Sequence, residues 1–239
     1  PIKKTAPGGR TDEVSPTATA PKKKKGRARR GKAAFPFRKN MQIYTVPAGP
    51  LRANSYIVTE DGENAVLIDC GGEEPLAFAR EKGIKIHTVL LTHGHFDHIA
   101  GCAALQRAGA RIGAPAEELS LISSQGNLAA AMGFEIPSFR VDLTYRDKDV
   151  LDLCGVSFTV IATPGHTPGG VCFLAGDALF TGDTLFCGSV GRTDFPGGSA
   201  AALRGSIHKL FALEGDFTVY PGHDEPTSLD YERRYNPFR

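Results

Sequence analysis

From Met41 onward, apolar and polar residues alternate at short range in one run after another. Period-two runs over Met41–Val46, Asn54–Thr59 and Ala65–Asp69 predict three strands, with turns at Gly49-Pro50 and Asp61-Gly62. Pro75 to Lys82 predicts a short helix stopped by Gly83, and His87 to Leu91 a compact apolar strand. Ile99, Cys102 and Leu105 recur at helical spacing up to Gly109. Val156–Ala162, Val171–Ala175 and Ala178–Thr181 are further strands. Ser199 is placed to cap a helix with the apolar face Leu203, Ile207, Leu210 and Phe211, ending near Gly215. Phe217 to Tyr220 reads as a last strand, and Ser120 to Met132, small and polar, as a flap. The strands come in groups with helices between them, which favours two sheets covered by helices over a regular strand–helix repeat.

Residues 1–39 break this pattern. They hold 13 Lys or Arg against 2 acids, a net +11, and include Lys22-Lys23-Lys24-Lys25. The remainder carries 15 basic and 24 acidic residues, a net −9, so the overall +2 describes neither part. With almost no apolar residue before Phe35, this basic arm cannot bury enough surface to offset its ordering entropy and is expected to be disordered. Its expected partners are polyanions such as nucleic acid, bound only non-specifically. Residues 40–239 are expected to form one domain, its 41% hydrophobic content being taken over the whole chain. No run is long and apolar enough to span a bilayer, and none follows Pro1–Lys4 as a signal peptide requires. Five cysteines without C-x-x-C spacing read as reduced thiols, so no membrane and a cytoplasmic address are expected.

The chemistry concentrates in Thr92-His93-Gly94-His95-Phe96-Asp97-His98, directly after an apolar strand. A turn leaving a strand end can aim alternate side chains into one cleft, and Gly94 is expected to let the backbone bend between two ligands. His166 in Pro164-Gly165-His166-Thr167, Asp183 in Gly182-Asp183-Thr184 and His223 in Pro221-Gly222-His223 stand at other strand ends. Imidazoles with carboxylates, and no cysteine among them, are the donor set of hydrolytic zinc, iron or manganese sites. His87 and His208 have no other ligand type beside them and read as structural.

His-x-His-x-Asp-His, followed in order by Gly-His-Thr, Gly-Asp and Pro-Gly-His, resembles the metallo-β-lactamase superfamily. The resemblance runs from about Met41 to Arg239 and implies an α+β fold, an αββα four-layer sandwich with the metal site along one edge. It implies two divalent metal ions, zinc first, with iron or manganese as alternatives. His93, His95 and His166 would hold one, Asp97, His98 and His223 the other, and Asp183 would bridge them. Asp97 and Asp183 are thus the expected catalytic carboxylates.

The stretch Leu185 to Gly198, with Gly191-Arg192-Thr193-Asp194-Phe195, resembles the short bacterial glyoxalase II-like hydrolases, and so does the ending Tyr231 to Phe238. This implies a small-molecule thioester substrate attacked by a metal-bridging hydroxide, since two metals sharing a water bring its pKa from about 15.7 toward neutrality. Longer glyoxalase II enzymes continue into a helical region with glutathione contacts that has no counterpart here, so the thiol stays open. Arg192 would either pair with a substrate carboxylate or close a salt bridge with Asp194. Asp69 would order loops beneath the site, and Cys187 would act as buried filler. Persulfide dioxygenases, with a single iron on positions matching His93, His166 and Asp183, are the rival in another reaction class. A nucleic-acid-processing hydrolase using the basic arm ranks below it.

A chain beginning at Asn40 keeps every expected ligand and loses only the arm. Turnover and melting temperature should match those of the full chain, while retention on RNA at low salt should vanish. A large loss of turnover would overturn the reading of the arm as a passive extension.

Overall fold

The protein is described by a computed structural model over residues 41–239; the arm expected over residues 1–39 lies outside the described residues. The first sheet has six strands: β1 (Gln42–Ala48), β2 (Ala53–Thr59), β3 (Asn64–Ile68), β4 (Lys85–Leu90), β5 (Arg111–Pro115) and β6 (Leu143–Tyr145). They lie side by side in chain order, antiparallel from β1 to β3 and parallel from β3 to β6. Parallel neighbours need crossovers. Helix α1 (Glu74–Lys82) supplies one, and α2 (Phe96–Ile99) with α3 (Cys102–Arg107) supplies the next. Helix α4 (Leu119–Ile122) follows β5.

The second sheet begins with the meander β7 (Val150–Leu153), β8 (Val156–Ala162), β9 (Val171–Ala175) and β10 (Ala178–Gly182). A small ribbon, β11 (Leu185–Phe186) with β12 (Ser189–Val190), precedes helix α5 (Ala200–Phe211). Strand β13 (Thr218–Pro221) then pairs parallel to β10, and β14 (Thr227–Ser228) and helix α6 (Leu229–Tyr235) complete the chain.

Side-chain alternation in these strands builds three apolar layers. In β2 and β3, Ile57, Ala65 and Leu67 face outward onto Ala79 of α1 and Cys102 and Leu105 of α3. Their neighbours Tyr56, Val58, Val66 and Ile68 face inward and meet Val160, Phe173 and Phe180 of the second sheet. Cys172 and Leu179 point the other way, onto Leu203, Ile207 and Leu210 of α5. Helix, sheet, sheet and helix therefore stack as the expected αββα sandwich, an α+β fold, and β2 is buried at every position, its polar Asn54, Ser55 and Thr59 included.

Some expectations shift. The helix expected through Ile99, Cys102 and Leu105 breaks into α2 and α3 at Gly101, which sits so close to Cys70 and Gly72 that a Cβ could not fit. Ser199 caps α5 through the Ala202 N–H, but the helix stops at Phe211, short of Gly215. Strands β5, β6 and β7 and helix α6 were not visible in the periodicity. The segment read as a flap forms α4 and two turns of 3₁₀ helix. Cys187 is half-buried, not filler. Among the described residues no helix is long and apolar enough to cross a membrane.

Phe173 sits fully buried between the sheets, with its ring 5.5 Å from that of Tyr145. Phe173→Ala should lower unfolding stability by about 3–5 kcal/mol, because the sandwich cannot collapse around the lost ring. Chemical denaturation checks this; a loss under about 1 kcal/mol would mean the inter-sheet layer is loosely packed.

Candidate metal centre

Strands β3 and β4 of the first sheet, and β8, β10 and β13 of the second, run out toward one edge of the sandwich. Residues just beyond their last positions meet there. Open sheets with parallel strands characteristically place their sites at carboxyl ends, where loops leave the sheet. The two sheets are stitched at this edge by backbone bonds: Val171 N–H to Thr92 O at 2.9 Å, and Asn54 N–H to Gly222 O at 2.7 Å. The Tyr56 hydroxyl donates to Pro221 O at 2.6 Å.

All seven sequence-predicted ligands converge at this edge. His93, His95 and His166 form one group whose donor atoms lie within 4.8 Å of one another, and Asp97, His98 and His223 form another. His95 Nδ1 is 2.9 Å from His166 Nε2. His223 Nε2 is 3.2 Å from Asp97 Oδ2. Asp183 stands between the groups: its Oδ2 is 3.4 Å from His166 Nε2 and 3.6 Å from His223 Nε2, and its Oδ1 is 3.3 Å from His98 Nε2.

The outward ring nitrogens of these histidines are held by the protein. The Nδ1 atom of His98 faces Asp69 Oδ2 at 2.8 Å, and His166 Nδ1 faces Arg192 O at 2.7 Å. Asp69 also accepts the Thr92 N–H and hydroxyl, both at 2.7 Å. Asp69 lies close to His93 and His98, but both of its oxygens are engaged: it ties the Thr92 turn, in the loop it was expected to order, to the His98 ring. The Asp69 backbone N–H bonds to Leu90 O at 3.0 Å, with φ in the left-handed region at 57°.

Three buried atoms of the cluster have no hydrogen-bond partner: Nε2 of His93, Nε2 of His98 and Oδ1 of Asp183. His98 Nε2 and Asp183 Oδ1 attract as charges but are not aligned for a bond. A buried orphan of this kind costs about 1–3 kcal/mol, so three on one centre fit a cation that takes their lone pairs. The electrostatics agree. Burial, reinforced by His98, holds His93 well below the usual histidine range, and burial with His166 lowers His95 to about 4. Both rings are therefore neutral donors at pH 7. Burial opposes charge on Asp97, Asp183 and His98 as well, yet mutual attraction overrides it. Asp97 and Asp183 are held below the ordinary carboxylate range by His98, and His98 is held above its own range by Asp183, Asp97 and Asp69. A cation at the second group must displace the His98 proton, so metal uptake is linked to proton release.

Glycine matters here for space. Gly94 has no left-handed φ; a Cβ there would meet Ile122 at 2.7 Å and Leu121 at 2.8 Å, so α4 presses on the turn between His93 and His95. At Gly222 a Cβ would lie 2.2 Å from Asp183 Oδ1 and 2.8 Å from His98.

Arg192 forks onto Asp194, Nε to Oδ1 at 2.7 Å and an Nη to Oδ2 at 2.6 Å, and stacks 4.0 Å over the Phe195 ring. Of its two expected partners the structure places it on Asp194, on the lining of the cavity over the cluster. His87 Nε2 pairs with Asn64 Oδ1 at 2.7 Å and His208 is exposed on α5, both apart from the cluster.

One residue escaped the sequence reading. Glu118, fully buried, accepts the Gly94 N–H through Oε2 at 2.8 Å and the Gly169 N–H through Oε1 at 2.7 Å. It splints the loop of His93 and His95 to the loop of His166. Burial outweighs these two bonds and raises its pKa above the usual carboxylate range. Its neighbour Glu117 is exposed, so only three-dimensional context separates the two. Glu118→Gln keeps the shape but turns an amide N–H toward one of two N–H donors. Metal affinity, measured by chelator competition, should fall about 10–100-fold with the fold retained; unchanged affinity would mean the loops hold their geometry without it.

The comparisons agree with this geometry. The family model described as "Metallo-beta-lactamase superfamily" matches residues 48–223. The hydroxyacylglutathione hydrolase GloC of Haemophilus influenzae is 36% identical over 207 residues, spanning 83% of this chain and 98% of that protein. The crystal structure of TTHA1623 in a di-iron-bound form is 38% identical, with a TM-score of 0.74, covering 82% of this chain and all of that one at 100%. The BLEG-1 B3 metallo-beta-lactamase is 31% identical, with a TM-score of 0.78 over 82% of this chain and 99% of that one. The chain belongs to the metallo-beta-lactamase superfamily and is a metal-dependent hydrolase of that superfamily.

Proposed function

We propose that this enzyme hydrolyses a small-molecule thioester with two divalent metals, His93, His95 and His166 holding one, Asp97, His98 and His223 the other, and Asp183 shared. The observation that carries the reading is the position of Asp183, whose carboxylate lies within 3.6 Å of a nitrogen from each histidine group. When bound, the metals supply a water of lowered pKa and a Lewis acid for the substrate carbonyl. The di-iron form of TTHA1623 supports a two-metal centre and brings iron beside zinc as the native ion.

The residues suit this substrate class. Asp97 and Asp183 are held ionised, so they serve as lone-pair donors and neither offers a proton. A departing amine would need one. A thiolate, whose thiol has a pKa near 8.5, leaves without it. Asp69 fixes the His98 ring through Nδ1, and the Arg192 carbonyl fixes His166. Phe195, with its ring 5.6 Å from that of His95, shields the cluster from bulk water. The likeness to GloC supports the thioester reading, and the complete second ligand group favours it over a single-iron dioxygenase.

Elemental analysis of protein loaded at neutral pH with zinc, iron and manganese in turn should approach about two equivalents per chain. Asp183→Ala should cut thioester turnover to about a hundredth or less while leaving the circular dichroism spectrum intact. Survival of turnover in that variant would sink the shared-carboxylate mechanism. One tightly held iron, with oxygen consumed in the presence of a persulfide, would carry the dioxygenase reading instead, and preferential cleavage of a β-lactam would carry a third.

A further inference from the structure

A cavity of about 350 Å³ opens directly on the metal centre and shares His95, Asp97, His166, Asp183 and His223 as its floor. Its walls come from separated parts of the chain and are mostly carbon: Leu51, Phe96, Leu128, Met132, Phe186 and Phe195. Ligand pockets of this size are typically apolar with a few converging polar groups, which here are the proposed ligand residues with Ser189, Arg192 and Asp224.

Three features point to the ligand. Leu51 and Met132, at the rim, are each 47% exposed, and Phe134, stacked on Phe96 with ring centroids 5.1 Å apart, is 39% exposed. Large apolar side chains left open together mark a surface that something else covers. Leu128 adopts a left-handed backbone, φ 68°, which is sterically costly for a leucine, yet its side chain is buried against the Phe96 cluster at the pocket wall. Strain of this sort persists where the surroundings hold a residue in place, and it gathers at ligand clamps. The charges form the third feature. Arg192 is the only Lys or Arg lining the cavity among the described residues, and one edge of its guanidinium, Nε with Nη2, is taken by Asp194. Asp224, also on the lining, repels anions.

We propose that this pocket selects thioesters whose acyl group is uncharged and carbon-rich, a medium alkyl chain or an aryl ring, and that it does not recognise an anionic peptide thiol. This rests on the thioesterase reading above and specifies its substrate class. The acyl group lies along Leu51, Leu128 and Met132 with its carbonyl over the metal centre. A carboxylate-bearing thiol such as glutathione finds on the described lining a single guanidinium, already paired along one edge with Asp194.

The test uses the metal-loaded full chain and acetyl, butyryl, hexanoyl and benzoyl thioesters of N-acetylcysteamine, an uncharged thiol, with the same acyl groups on glutathione. Non-cleavable thioether counterparts are titrated in parallel by calorimetry. Specificity should rise about threefold per methylene from acetyl to hexanoyl, as expected for burial of a methylene, and thioether affinity should rise with it. For each acyl group the uncharged thiol should serve at least as well as glutathione. Met132→Ser, half-exposed and so tolerant of change, should reduce the hexanoyl-to-acetyl ratio about fivefold.

Hydrolysis that is flat or falling with chain length, or that prefers glutathione thioesters, overturns this inference and leaves the thioesterase reading standing. Thioether affinity that rises with chain length without hydrolysis of any thioester supports the apolar pocket and overturns the thioesterase reading. Neither turnover nor chain-length-dependent binding overturns both.

Discussion

Everything at the active edge follows from one electrostatic problem: five imidazoles and two carboxylates share a space largely closed to water. Alone, each group would shed its charge or its lone pairs would go unmet. Together they sort themselves, with His93 and His95 neutral, Asp97 and Asp183 ionised, and His98 cationic among three carboxylates. What remains unmatched faces inward: the lone pairs of His93 Nε2 and Asp183 Oδ1, joined by that of His98 Nε2 once its proton leaves. The hydrogen bonds of Asp69, Glu118 and the Arg192 carbonyl pull on this cluster from outside and keep those lone pairs aimed at its centre.

The sandwich provides the stiffness that such an arrangement demands. Tyr56 shows the connection most directly. Its ring is packed against Phe180 and Tyr220 in the inter-sheet layer, at centroid distances of 5.4 and 5.3 Å, and its hydroxyl grips the carbonyl two residues before His223. Core packing and ligand placement are thus one structure at this point.

Much of this was legible in the residues because the signals were local. A strand ending in His-Gly-His-Phe-Asp-His carries four donors in a single turn, and glycine beside His166, Asp183 and His223 marks loops with little room. Period-two alternation exposed β2, β3 and β8 to β10. What escaped depends on contacts distant in sequence. Strand β5, Arg-Ile-Gly-Ala-Pro, lacks the branched run that signals a strand and is defined by its pairing with β4. The break between α2 and α3 exists because Cys70 and Gly72 crowd Gly101. Glu118 and Glu117 are the same residue type in adjacent positions, and only the approach of two loops buries one of them. Gly94 was rightly suspected, but the cause is the side chains of α4 packed over it, not a bend in its backbone.

The strand order has a further implication, for assembly of the chain. Each sheet is drawn from one unbroken half: β1 to β6 before residue 146, and β7 to β14 after residue 149. Each half can therefore pair its strands largely through its own segment, and the half nearer the N-terminus can do so while the other is still being synthesised. The donors, however, are divided, with His93, His95, Asp97 and His98 in the first half and His166, Asp183 and His223 in the second. On the proposed two-metal reading, neither half alone would hold a full set for either ion. On that reading, metal capture would act as a coincidence detector for docking of the halves, tightening only those molecules in which both have come together in register.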